Sequence, residues 1–177
     1  MSYYTPLNVE TLPAIQDAVL ERIPDYLFNE TNLTYLENNR ALFLGIPELE
    51  DLLSKLGVMD KVLTIAVNVT LPHKSGNIHV DGGSYQHSLN IPIVGCKNTW
   101  VKFYSSKEEP KQITLTNSTG THTFLKYDES VCDEILTVEA TGPYIMDTKV
   151  PHKVVNTTDN IRVMLLIRLD STFKITG

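Results

Sequence analysis

From Lys61 onward the chain reads as a succession of short runs: "KVLTIAVNVTL", "NIHVD", "HSLNIPIVG", "TWVKFYS", "KQITLTN", "HTFLKYD", "DEILTVEA", "PYIMDTKVPHKVVNTT" and "IRVMLLIRL". Each is rich in β-branched and aromatic residues, and glycine, proline or Asn/Asp/Ser/Thr clusters separate them. Eight or more such strands, preceded by helices, predict an antiparallel sandwich or barrel with a helical buttress on one sheet. The helices are legible upstream. "NVETLPAIQDAVLERI" places Leu12, Ile15, Val19 and Ile23 on one stripe, which is expected to pack on a sheet. "GIPELEDLLSKLG" carries Pro47 near its start, acids in its first turn, Lys55 near its end and Gly57 after it, the start and stop signals of a helix. Between them, "NETNLTYLENNR" reads as loop with short helical turns. No internal repeat or low-complexity linker interrupts the 177 residues. One domain is expected, with residues 1–58 as the helical buttress and 59–177 as the β core.

Charge narrows the function classes. A formal charge of −6 and a pI near 5.3, with no block of Lys or Arg, argue against a nucleic-acid partner. No apolar run approaches the roughly 18 to 20 residues that cross a bilayer, so no membrane partner is expected. "MSYYTPLNVE" does not follow the signal-peptide pattern, and Cys96 and Cys132 form no CxxC pair. These read as reduced thiols of a cytoplasmic protein. Glycine-rich phosphate loops and GxSxG elbows are absent from the sequence, which removes support from nucleotide hydrolysis and acyl transfer.

The chemistry-bearing stretch is "NIHVDGGSYQHSLNIPI", residues 77–93. In a strand, side chains alternate between faces, so His79 and Asp81 project to the same side. Two such groups hold an ion poorly alone. "VPHKVV" offers a third, His152, also within a strand pattern. Two histidines and one carboxylate form the facial triad that suits non-haem Fe(II) and leaves positions open on the ion. Structural zinc would instead close its shell, usually with Cys and His. Gly82 and Gly83 let the backbone turn away without bulk over the open positions. "HKVVNTTDNIRVMLLIRL" reads as strand, turn, strand, with Arg162 ten residues after His152 on the antiparallel return. Arg162, Met164, Leu166 and Arg168 share one face. An Arg on an apolar face of a central strand needs an anion, either an internal Asp or Glu or a bound ligand, and the sequence leaves both open.

The set "IHVDGG…SLNIPIVGCKNTWVKFY…PHKVVN…IRVMLLIRL" resembles the Fe(II)/2-oxoglutarate-dependent dioxygenases, with their HxD…H triad and a basic residue some ten positions on. More narrowly, it is similar to small phage and marine microbial oxygenases related to aspartyl/asparaginyl β-hydroxylases. The resemblance covers about residues 60–170. It implies a mainly β fold, a double-stranded β-helix (jelly-roll, cupin-like) with the N-terminal helices packed on one sheet. It implies that His79, Asp81 and His152 bind Fe(II) and that Arg162 anchors the distal carboxylate of the cosubstrate 2-oxoglutarate. O2 would be the other small-molecule partner, and the reaction would hydroxylate an unidentified peptidyl or small-molecule substrate. Many relatives carry Ser two positions after that Arg; Met164 stands here, so the carboxylate needs another polar partner, with Asn90 and Tyr104 as candidates. The alternative is a cupin-like binding or structural protein with a vestigial or non-oxygenase metal site. His87 is expected as a structural or supporting histidine, His73 and His122 as surface residues, and Trp100 and Phe103 as core or pocket wall.

Overall fold

The computed structural model describes residues 3–24, 34–36, 40–83, 85–117 and 120–173. Its strands are β1 (Tyr4–Pro6), β2 (Thr34–Leu36), β3 (Val62–Thr70), β4 (His79–Val80), β5 (His87–Val94), β6 (Thr99–Ser106), β7 (Lys111–Asn117), β8 (Gly120–Lys126), β9 (Cys132–Glu139), β10 (Tyr144–Asp147), β11 (His152–Asn156) and β12 (Arg162–Leu169). They form two antiparallel sheets, ordered β1-β10-β5-β12-β3-β2 and β7-β8-β4-β11-β6-β9. Successive strands from β3 onward mostly alternate between the sheets. This is the wrapping of a double-stranded β-helix, as the sequence led us to expect.

Helices α1 (Leu12–Leu20) and α3 (Pro47–Lys55) flank the short α2 (Arg40–Phe43). The α3 signals act as read: Pro47 opens it, Glu48 and Glu50 sit in its first turn, and Lys55 pairs with Asp51 at 2.7 Å. Gly57 then takes a left-handed φ of +65°. The stripe residues Ile15 and Val19, with Leu49 and Leu53, are buried against Ile65, Val67, Leu89, Ile91, Val163, Leu165 and Ile167 of the first sheet. Burying each such side chain contributes about 1.5–3 kcal/mol. The opposite face of the same strands turns inward between the sheets, where Met164, Tyr144 and Met146 meet Val101 and Phe103. Strands β5 and β12 are therefore buried on both faces.

Three local expectations are corrected. The N-terminal third is not purely helical: β1 and β2 cap the two edges of the first sheet. "PYIMDTKVPHKVVNTT" is two strands in different sheets, since β10 pairs with β5 and β11 with β4 and β6. Nor are β11 and β12 hydrogen-bonded neighbours, because β12 pairs with β3 and β5. The "NTTDN" segment crosses from one sheet to the other, so Arg162 faces the cavity from the wall opposite His152. Asn156, 1% exposed, secures that crossing. Its Nδ2 donates to the carbonyls of Thr70, Leu71 and Asn160 at 2.8–3.1 Å, and its Oδ1 accepts from Thr158. Cys96 and Cys132 are free thiols. Among the described residues no helix is long and apolar enough to cross a membrane.

Candidate metal centre

His79 and His152 are direct cross-strand partners on β4 and β11. Both imidazoles project to the inner face, with ring centroids 4.6 Å apart. Asp81 follows β4, and its N–H donates to Thr148 O at 3.1 Å, tying the segment to the turn after β10. The Asp81 Oδ1 lies 3.3 Å from His79 Nε2, and the three potential ligand atoms all lie within 4.8 Å of one another. The three residues that the sequence singles out at a distance thus meet at one point.

The tautomers suit a cation. Nδ1 of His79 lies 2.9 Å from Asn77 O, and Nδ1 of His152 lies 2.9 Å from Val150 O. A carbonyl only accepts, so each Nδ1 carries the hydrogen and donates it; in the neutral ring Nε2 then keeps its lone pair. Such outer hydrogen bonds orient metal-binding imidazoles. The charges are arranged accordingly. Burial works against a charge on His79, but the hydrogen bond and charge of Asp81 outweigh it, and the pKa is raised. Burial likewise opposes the Asp81 carboxylate, yet His79, His152 and Lys149 hold its pKa below the usual value. Burial, and then the neighbouring His79, lower His152 to about 4.

The two glycines after Asp81 answer to packing and backbone geometry. A Cβ on Gly82 would stand 2.3 Å from Thr123 O, so only glycine allows that close passage under β8. Gly83 adopts φ +86°. Lys149 Nζ donates to Asp81 O and Gly83 O at 2.9 and 3.1 Å, clamping the loop from its exposed side. Phe124 of β8 meets His79 edge-on at 5.7 Å, and Phe103 lies 6.3 Å from His152.

A cavity of about 470 Å³ opens beside this group. Its wall includes Arg162, Tyr144, Asn68, Asn90, Tyr85 and Arg168. Arg162 is 1% exposed. Its Nη1 donates weakly to Asn68 Oδ1 at 3.4 Å, its Nε has no hydrogen-bond partner among the described residues, and the Tyr144 hydroxyl lies in hydrogen-bond contact. It forms no ion pair with an Asp or Glu among the described residues. Of the two readings left open, the internal salt bridge is not found among the described residues. Burial pushes the Tyr144 hydroxyl pKa well up, so it stays a proton donor.

The other candidates separate by strand parity. Asn90 lines the cavity, but its side chain is engaged with Ser88 at 3.2 Å in both directions. Tyr104 does not line it. Lys153 alternates with the inward His152 and Val154, and its Nζ lies 5.6 Å from the Tyr104 ring, which places that ring on the outer face of the second sheet. His87 turns toward the helical side and meets Phe173 at 5.4 Å. His73 is exposed and paired with Asp159 at 2.8 Å. The side chain of His122 lies outside the described residues. Phe103 is core, whereas Trp100 is half-buried and outside the cavity wall. Sequence reasoning missed Tyr144. Its signal was its two-residue spacing from Met146, which puts both on the inner face once β10 is known to pair with β5.

No protein-family model and no curated protein sequence matches the chain. Solved structures do. A non-heme alpha ketoglutarate dependent carbocyclase, SnoK from nogalamycin biosynthesis, aligns at TM-score 0.56 and 13% identity over 95% of this chain and 79% of that one. EvdMO1 aligns at 0.54 and 15% over 96% of this chain and 47% of that one. E. coli ycfD aligns at 0.51 and 14% over 85% of this chain and 38% of that one. The chain thus spans less than half the length of the latter two. At such identities the likeness is one of architecture, and it places the chain among jelly-roll, cupin-type folds.

Proposed function

We propose that this chain is an Fe(II)- and 2-oxoglutarate-dependent oxygenase that hydroxylates a peptidyl or small-molecule substrate. The observation that carries the reading is Arg162: a buried guanidinium without a carboxylate partner among the described residues, in the same cavity as a two-histidine, one-carboxylate group. A buried cation of that kind is costly unless an anion meets it.

His79, Asp81 and His152 would hold the metal through the two Nε2 atoms and a carboxylate oxygen. When bound, the iron and cosubstrate supply oxidative decarboxylation to succinate and CO2, coupled to hydroxylation of a C–H bond. The protein's own work is positioning and exclusion. Arg162 offers a planar fork for the distal carboxylate. Tyr144, kept protonated by burial, supplies the hydroxyl that Met164 cannot. Val101 and Phe124 give the inner side of the cavity an apolar wall, and glycine at position 82 lets the loop that carries Asp81 pass close to Thr123 O. The architecture shared with SnoK supports the reading. The narrower kinship with phage and marine microbial oxygenases related to aspartyl/asparaginyl β-hydroxylases rests on the sequence motifs alone.

Anaerobic addition of Fe(II) and 2-oxoglutarate should produce the weak visible charge-transfer absorption of the chelate, and admission of air should release succinate. Arg162→Lys keeps the charge but loses the fork, and should weaken 2-oxoglutarate binding while sparing metal binding. Folded wild-type protein that shows neither absorption nor succinate sinks the proposal and leaves the cupin-like binding protein in its place.

A further inference from the structure

His79 and His152 owe their places to sheet hydrogen bonding: β4 is paired on both sides, with β8 and β11, and β11 runs between β4 and β6. Asp81 has no such frame. It lies one residue past the end of β4, and no ladder pair among the described residues includes it. Gly82 and Gly83 follow, and glycine has the most backbone freedom to lose. A carboxylate at the head of so pliant a loop keeps its aim only if something outside the loop holds it.

The turn after β10 does this. Asp81 N–H donates to Thr148 O at 3.1 Å, and Lys149 Nζ donates to Asp81 O at 2.9 Å. Two consecutive residues thus take both main-chain groups of the ligand, as a neighbouring strand would. The same Nζ reaches Gly83 O at 3.1 Å, so one ammonium spans the glycine turn. The turn that carries it is itself fastened. Thr148 N and Oγ1 donate to Gln86 O at 2.8 and 3.0 Å, Gln86 Nε2 donates to Asp147 Oδ2 at 3.3 Å, and Lys149 N donates to Asp147 Oδ1 at 2.8 Å. Thr148 is buried, whereas Lys149 is exposed and adds nothing to the core.

Lys149 acts on a bound cation in two opposing ways. Its charge repels the ion, and its hydrogen bonds hold the carboxylate that attracts the ion. The repulsion is weak, because an exposed charge is screened over about 8 Å at physiological salt. Orientation counts for more: loss of a group that orients a metal ligand costs about 10–100-fold in affinity.

Resting on the metal centre of the oxygenase reading, we propose that Lys149 is a positioning residue: by bridging Asp81 O and Gly83 O it stands in for a missing strand partner and fixes the Asp81 carboxylate for the metal.

Calorimetric titration with Ni(II) tests this, since imidazole ligands bind Ni(II) more tightly than Fe(II). Lys149→Met should weaken Ni(II) binding about tenfold, and Lys149→Arg, which keeps the donors and the charge, should stay within about threefold of wild type. The urea midpoint of the metal-free protein should be the same in all three. In an Asp81→Asn background, Lys149→Met should change the affinity by less than about twofold, because the carboxylate it positions is gone. If the Met variant lacks the wild-type circular dichroism, Lys149→Gln takes its place. Unchanged or tighter binding in Lys149→Met, a full loss in Lys149→Arg, an equal loss with and without the Asp81 carboxylate, or a lowered metal-free midpoint overturns the proposal. Wild-type protein that binds no Ni(II) sinks the metal centre and this proposal together. Wild-type protein that binds Ni(II) but not 2-oxoglutarate sinks the oxygenase reading alone.

Discussion

Replacing Arg162 with Met should make the ligand-free protein more stable and at the same time remove its response to 2-oxoglutarate. The guanidinium is 1% exposed, and among the described residues its surroundings offer only a 3.4 Å hydrogen bond to Asn68 and the Tyr144 hydroxyl. Burying an ion of this size costs several kcal/mol even after relaxation. The two hydrogen bonds return about 1.5–3 kcal/mol each at best, and the Asn68 bond falls below that because of its length. Methionine fills much of the same volume beside Met164 and Tyr144, at a packing cost of about 1 kcal/mol. The balance favours the variant by about 1–3 kcal/mol, or about 2–10 °C in melting temperature for a chain of this size. Ligand adds the opposite sign. Metal-loaded wild type at a hundredfold excess of 2-oxoglutarate over its Kd gains about 2.7 kcal/mol, and the variant gains nothing. Urea unfolding of Co(II)-loaded protein, with and without 2-oxoglutarate, reads both effects. A ligand-free variant destabilised by more than about 1 kcal/mol would show that Arg162 serves the fold. A retained stabilisation by 2-oxoglutarate would show that it does not serve the cosubstrate.

Asn156→Ala strips five hydrogen bonds from the crossing between β11 and β12 and leaves buried carbonyls unpaired; a loss of about 2–4 kcal/mol is expected in urea unfolding. Gly82→Ala forces a methyl against Thr123 O and should cost about 1–3 kcal/mol and weaken Co(II) binding, because the displaced loop carries Asp81. Metal affinity should fall as pH is lowered, beginning above the ordinary histidine value of about 6.5, because the pKa of His79 is raised. His152 stays neutral down to about pH 4 and Asp81 stays ionised, so calorimetry near pH 6 should find about one proton released per metal; two would refute these assignments.

Local pattern was enough to read the β class of the chain, the helix from Pro47 to Lys55 and the metal-ligand candidates. Each depends on short-range periodicity: a two-residue repeat puts His79 and Asp81 on one face, and a three- and four-residue stripe buries Ile15 and Val19. The same repeat grouped Arg162 with Arg168 before any neighbour was known. Periodicity says which residues share a face but not what that face opposes. Tyr104 was named from its place in a strand, yet lies outside because its strand presents Phe103 inward. Tyr144 went unnoticed because its role depends on β10 leaving the run that continues into β11. The sheet to which a strand belongs is decided by long-range hydrogen bonding and by burial of both faces of β5 and β12. The distance from a guanidinium to an imidazole on the opposite wall is decided there too.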